Sequence, residues 1–96
     1  MPLQMRLYRI NKGELEAFAQ EWEANIKPLR VELGFTVPAA YTVPTQNLFV
    51  WFLQHDSAER WDELDKAYHD SDARKAMEPD PARLIARVEQ YFVEAV

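Results

Sequence analysis

The stretch Leu48-Phe-Val-Trp-Phe-Leu-Gln-His55 decides the fold, because it is apolar at consecutive rather than alternate positions. Successive side chains of a strand point to opposite faces, so Leu48, Val50 and Phe52 share one face while Phe49, Trp51 and Leu53 share the other. Both faces therefore need cover. A chain of 96 residues, with room for about two helices, shields one face of such a sheet with its own helices and leaves the second bare. The cover expected there is another copy of the chain, so this strand predicts a homodimer joined through the helix-free sheet face.

Working outward, Met5 to Ile10 reads as a first strand that leaves through the turn Asn11-Lys-Gly13. Leu15, Phe18, Ala19, Trp22, Ile26, Leu29 and Leu33 step by three and four, the spacing of an amphipathic helix that Gly34 ends. Pro28 removes one backbone donor inside that pattern, which predicts a kink or break near Ala24 and Asn25. Phe35 to Val43 alternates as a second strand, and Pro38 demotes it to an edge or bulged one. Pro44-Thr-Gln-Asn47 supplies the turn of a hairpin into the two-faced strand. Asp56 or Ser57 is expected to cap a second helix carrying Trp61, Leu64 and Tyr68 on its apolar side. Periodicity leaves Leu84 to Val96 open between helix and strand. Topology decides for strand, because strand, helix, strand, strand, helix lacks one strand of the split βαβ arrangement. The expected fold is α+β, a ferredoxin-like βαββαβ protomer with a four-stranded antiparallel sheet and two helices on one face.

Composition sets the limits on function. The length fits a single domain spanning residues 1–96, and 48% hydrophobic residues are enough for a packed core. No cysteine is present, which excludes disulfides and thiol nucleophiles and suits a cytoplasmic location. A net charge of −5 opposes nucleic-acid binding, and the apolar runs are too short for a membrane span. The acidic cluster Asp56, Glu59, Asp62, Glu63 and Asp65 reads as the solvated face of the second helix. With only Gly13 and Gly34, the chain has no phosphate-cradling loop or dinucleotide fingerprint, and no cofactor is expected.

Several short motifs resemble a known family. Met5-Arg-Leu-Tyr-Arg-Ile10 followed by Gly13, Phe18 and Trp22 resembles the opening strand and helix of NIPSNAP-like proteins in the dimeric α+β barrel superfamily. Pro28-Leu-Arg30 with Gly34-Phe35, and Asn47 running into the apolar strand before Asp56-Ser57, are similar to later parts of that pattern. The likeness covers Met5 to Tyr68, and it departs at Tyr41 and Leu53, where members usually carry tryptophan, and at His55, where they carry an aromatic. The resemblance implies a homodimer joined across sheets, with a pocket between each sheet and its helices. Relatives in the superfamily include cofactor-free monooxygenases, isomerases and haem-handling proteins, among which fold does not choose.

Candidate chemistry rests on few residues. His55, at the end of the apolar strand beside Asp56, is the candidate general base, set against a plain space-filling role at the sheet rim. Tyr8, Trp22, Tyr41, Trp51 and Trp61 are the candidate walls of a pocket for a small apolar or aromatic ligand, although aromatics at such spacing also serve as plain core. Arg6 and Arg30 have the geometry to meet a carboxylate or phenolate, with weak surface pairing as the alternative. His69, Asp70 and Asp72 have ligand chemistry but no metal-site spacing, so no metal is expected. Pro2, if exposed by removal of Met1, suits an N-terminal-proline tautomerase. Three readings follow: a homodimeric small-molecule binder or cofactor-independent enzyme, an interaction module built on dimerisation and the acidic helix, and the tautomerase.

Overall fold

The structure is a computed structural model that describes residues 1–96. Four strands form an antiparallel sheet in the order β2-β3-β1-β4. β1 is Leu3–Ile10, β2 is Ala40–Val43, β3 is Leu48–Gln54 and β4 is Ile85–Val93. β1 and β3 lie in the centre, with Arg6 opposite Trp51 and Tyr8 opposite Phe49. The chain order is βαββαβ, so the fold is α+β and ferredoxin-like, and the C-terminal segment left open by periodicity is a strand.

Parity along the central strands sorts the side chains. Gln4, Arg6, Tyr8 and Ile10 of β1 are buried on the same sheet face as Phe49, Trp51 and Leu53 of β3. The helices pack on that face. Phe18, Trp22, Ile26 and Leu29 from one side and Trp61 and Tyr68 from the other complete a core with these sheet residues. Aromatic rings meet edge to face inside it, with Phe18 and Phe49 5.1 Å apart and Trp22 and Trp51 5.4 Å apart. The opposite face carries Leu3, Met5, Leu7, Leu48, Val50 and Phe52, which remain only partly covered. Tyr41 of β2 and Tyr91 of β4 flank them, both more than half exposed.

The first helix departs from a regular α-helix where the sequence places its break. α1, Leu15–Glu21, widens into a π turn at Trp22–Ile26 and resumes as α2, Lys27–Glu32. Pro28 has no N–H to return to the carbonyl four residues back, and a wider turn absorbs the gap without ending the helix. Gly34 then terminates it at φ 97°, a left-handed conformation that glycine adopts without a steric penalty.

The largest departures from the sequence reading are at the starts of β2 and of the second helix, while β1 begins two residues earlier, at Leu3, and β4 ends at Val93. β2 is limited to Ala40–Val43, with Thr36 joined to Gln54 by a lone bridge, because Pro38 interrupts the ladder between them. The second helix, α3, begins at Trp61 and runs to Asp70, followed by the short α4, Asp72–Lys75. Asp56 and Ser57 precede it in a separate turn, where the Ser57 hydroxyl accepts from the Arg60 N–H.

Asn47 closes the hairpin at φ 55°, and its side-chain amide donates to the carbonyls of Ile10 and Asn11. It thereby ties the β2–β3 turn to the exit of β1. No helix is long and apolar enough to cross a membrane.

Because Phe49 is buried against Phe18 and Trp22, Phe49→Ala is expected to lower the unfolding free energy by about 3–5 kcal/mol, read from the urea midpoint.

Candidate functional site

A cleft of about 240 Å3 lies between the helix-covered sheet face and the helices, walled by residues of β1, β3, β4, α2, α3 and α4. Tyr8, Ile26, Trp51, Ile85 and Val88 supply its apolar wall. Arg6, Arg30, Asp65, Tyr68, His69 and Arg74 supply its polar one.

The polar wall is built by sequence spacing. Arg6 alternates with Gln4, Tyr8 and Ile10, so β1 turns it inward although it is charged. Arg30 is four residues beyond Ile26, which brings it onto the sheet-facing stripe of α2. Asp65 is four residues after Trp61 and three before Tyr68, both buried, so α3 presents its carboxylate to the sheet as well. Arg6 and Arg30 are 3% and 1% exposed, which removes the alternative of surface arginines in weak pairs. Asp65 likewise leaves the acidic outer face to which the sequence assigned it.

One carboxylate oxygen serves both arginines. Asp65 Oδ1 accepts from Arg6 Nη2 at 3.0 Å and from Arg30 Nη1 at 2.8 Å, joining β1, α2 and α3. Arg6 also donates through Nε to Gln4 Oε1 at 2.8 Å, and its guanidinium lies 5.6 Å from the Trp51 ring. The Arg30 guanidinium stacks 3.6 Å from the centre of the Tyr68 ring. Its Nε is buried with no partner, as is Trp51 Nε1. Arg74 completes the cation set and is held by Asp80 at 3.1 Å.

Electrostatics follow from this crowding. Burial, and after it the Arg6 charge, hold Arg30 below its ordinary value against the pull of Asp65. Burial pushes the Asp65 carboxyl up, but Arg6, Arg30 and the Arg30 hydrogen bond outweigh it, and the net displacement is below 3.8. Burial raises the Tyr68 phenol. Burial, with Arg30 and Arg6 acting against Asp65, holds His69 below its ordinary value, and its Nε2 lies 3.8 Å from Asp65 Oδ1.

The residues singled out from sequence divide. Tyr8 and Trp51 stand on the cleft wall. Trp22 is sealed in the core behind Trp51 and Phe49. Trp61 packs between Phe35 and Phe92. Tyr41 points from the opposite sheet face. His55 also lies off the cleft, its ring 5.2 Å from that of Phe35. Its Nδ1 accepts from the Ser57 N–H, which makes it a turn-capping group. Pro2 accepts from the His55 N–H and takes no part in the cleft wall. No three His, Asp or Glu side chains are grouped to hold a metal ion, His69, Asp70 and Asp72 included. Sequence reasoning passed over Asp65, Tyr68, His69 and Arg74 as cleft residues. The signal available was Asp65 at helical spacing between two aromatics.

The folded-state pKa of Asp65 is depressed, so its contribution to stability is present above about pH 3.8 and is lost as pH falls through the lower folded value. Asp65→Asn leaves two buried cations without a counter-charge, and is expected to cost about 3 kcal/mol at pH 7. Urea unfolding of both proteins should show that gap narrowing below pH 4.

No family model matches the chain, and no curated protein matches it. Solved structures do. An uncharacterized NIPSNAP domain protein from Burkholderia xenovorans superposes with a TM-score of 0.86 at 17% identity, over 100% of this chain and 95% of the other. A NIPSNAP family protein from Agrobacterium tumefaciens gives 0.87 at 12% identity, over 99% and 92%. A putative antibiotic biosynthesis monooxygenase from Nitrosomonas europaea gives 0.70 at 12% identity, over 100% and 99%. Spread over the whole domain and at such low identity, these likenesses establish that the chain has the ferredoxin-like fold of NIPSNAP family proteins, shared more distantly with the monooxygenase.

Proposed function

We propose that the protein is a homodimer in which each protomer binds a small, partly apolar or aromatic molecule in the cleft between sheet and helices. The observation that carries this reading is the cleft itself, where Tyr8, Trp51 and Val88 face a cluster of buried polar groups. Its volume lies a little below the ~300 Å3 at which drug-sized pockets begin, which suits an occupant of about one ring or a short chain.

The helix-free sheet face supports the dimer. Four strands about 4.8 Å apart, each about seven residues at 3.4 Å, give a flat area of roughly 450 Å2. Leu3, Met5, Leu7, Leu48, Val50 and Phe52 fill its middle with apolar side chains, a patch of the size that marks interaction surfaces. A second copy offers the same apolar surface in return, as a two-fold interface requires.

Tyr68 and His69 on the cleft wall are proton-transfer groups of the kind an isomerase uses. Cofactor-independent oxygenation needs in addition a substrate that gives electrons to dioxygen. The interaction-module reading has less behind it. On α3, Glu63 is paired with Arg60 and Asp70 with Lys66, and Asp65 faces inward, which leaves Asp62 as the one unpaired carboxylate of that helix.

Sedimentation velocity at micromolar concentration is expected to give a dimer, and Phe52→Asp a folded monomer; a folded wild-type monomer would refute the assembly. For the cleft, single-ring fragments are expected to shift the Trp51 indole resonance, and Val88→Trp, which fills the mouth, to weaken that response at least about tenfold. Absence of any shift across neutral and charged fragments would refute the pocket.

A further inference from the structure

The cleft has more cationic than anionic groups on its wall, in a protein whose overall charge is −5. Three arginines, Arg6, Arg30 and Arg74, line it together with a single carboxylate, Asp65. Asp80 reaches Arg74 from outside the wall, which still leaves one positive charge uncompensated. Burial of an unbalanced guanidinium is costly, and the imbalance is concentrated on the least exposed of the three.

Arg30 identifies where the missing charge belongs. Its only hydrogen bond to the protein runs from Nη1 to Asp65. The Nε–Nη2 edge, the pair of parallel donors that matches the two oxygens of a carboxylate, makes none, and Nε is buried without a partner. Arg6 is different, since Gln4, Tyr8 and Asp65 occupy its three nitrogens. Trp22, Trp51 and Trp61 also have buried indole N–H groups without partners, so the orphaned indole of Trp51 does not by itself mark a site. An orphaned guanidinium edge in a cleft with surplus positive charge does.

We infer that the cleft selects a small organic carboxylate, its two oxygens on the Nε–Nη2 edge of Arg30, its charge shared with Arg74, and its apolar body against Tyr8, Trp51 and Val88. This inference rests on the cleft being the ligand site proposed above, and adds the chemical class of the ligand. Asp65, shared by Arg6 and Arg30, and Asp80 on Arg74 together offset two of the three guanidinium charges, so one charge is left for the ligand. A monoanion satisfies that balance; a neutral amide of the same shape has one acceptor and no charge, so it leaves one donor of the Arg30 edge unpaired and the charge unbalanced. A dianion exceeds it.

Calorimetric titration of the native protein with phenylacetate and with phenylacetamide tests this directly, because the two probes share one shape and differ in charge. The expected result is at least about tenfold tighter binding of phenylacetate, the return of one charge-assisted bidentate contact. Arg30→Gln should abolish the preference. Since that variant removes a buried partner of Asp65 and its fold is at risk, Arg74→Gln at the rim serves as the second variant. It is expected to weaken phenylacetate about fivefold and leave phenylacetamide unchanged. Glu63→Gln, exposed on α3, should change neither. Equal affinity for the two probes, or a preference that survives Arg74→Gln undiminished, would overturn the carboxylate inference and leave the cleft reading standing. Failure of both probes to bind at ~10 mM would overturn both.

Discussion

A single carboxylate oxygen holds the two layers in their relative positions. Asp65 Oδ1, on α3, receives one hydrogen bond from Arg6 of the central strand β1 and one from Arg30 of α2. Apolar packing places helices on a sheet but tolerates sliding, since any greasy contact resembles the next. Two guanidinium groups at 3.0 and 2.8 Å from one atom do not tolerate it. The aromatic core supplies the bulk of the stabilisation; the Arg6–Asp65–Arg30 bridge sets the register between helices and sheet, and so shapes the cleft beside it. The cost is that both cations are removed from water, which makes the bridge a source of specificity more than of net stability.

The same bridge explains why this face of the sheet is not simply packed shut. Trp51 and Tyr8 fill the middle of the layer, but bulky arginines beside them carry hydrogen-bonding ends that cannot be covered by methyl groups. The space left over is the cleft. On the opposite face no charged group occupies the middle of β1 or β3, and nothing of this chain lies over Met5, Leu7, Val50 or Phe52. One sheet therefore has two very different surfaces, a polar-studded one under helices and an oily one without.

Much of this was legible in the sequence, and the divide has a physical cause. Consecutive apolar residues in β3, the alternation in β1 and the three-and-four spacing of the helices are period signals, and each led to the element observed. The terminal strand was legible only through topology, because its own periodicity suits a helix equally well. The break from Pro28 was placed correctly, since the missing N–H acts on its own helix, four residues back. The site was legible less far. Tyr8 and Trp51 sit on the cleft wall, yet Trp22, Trp61, Tyr41 and His55 stand off it, because residue type alone does not tell core from pocket. Asp65 was read as a surface charge from its chemistry and Arg30 was left between an anion-meeting role and a surface pair, whereas their spacing from Trp61, Tyr68 and Ile26 put both inside. Position outranks polarity when two opposite charges can meet.

The π turn at Trp22–Ile26 has a consequence for how this chain tolerates insertions and deletions. Phe18, Trp22, Ile26 and Arg30 are each four residues apart, and a regular α-helix overshoots a full circle by about 40° at every such step. The wider turn takes back part of that drift, so all four side chains still reach the sheet. Arg30 is thus aimed by backbone winding twelve ångströms or less along its own helix axis, an estimate from ~1.5 Å per residue over Trp22 to Arg30. Loss of one residue anywhere in that turn would swing the guanidinium about 100° around the axis, away from Asp65, with every residue of the cleft wall still present. For descendants of this sequence, frame length in an unremarkable helical segment guards the placement of Arg30 as strictly as the identity of the residue itself.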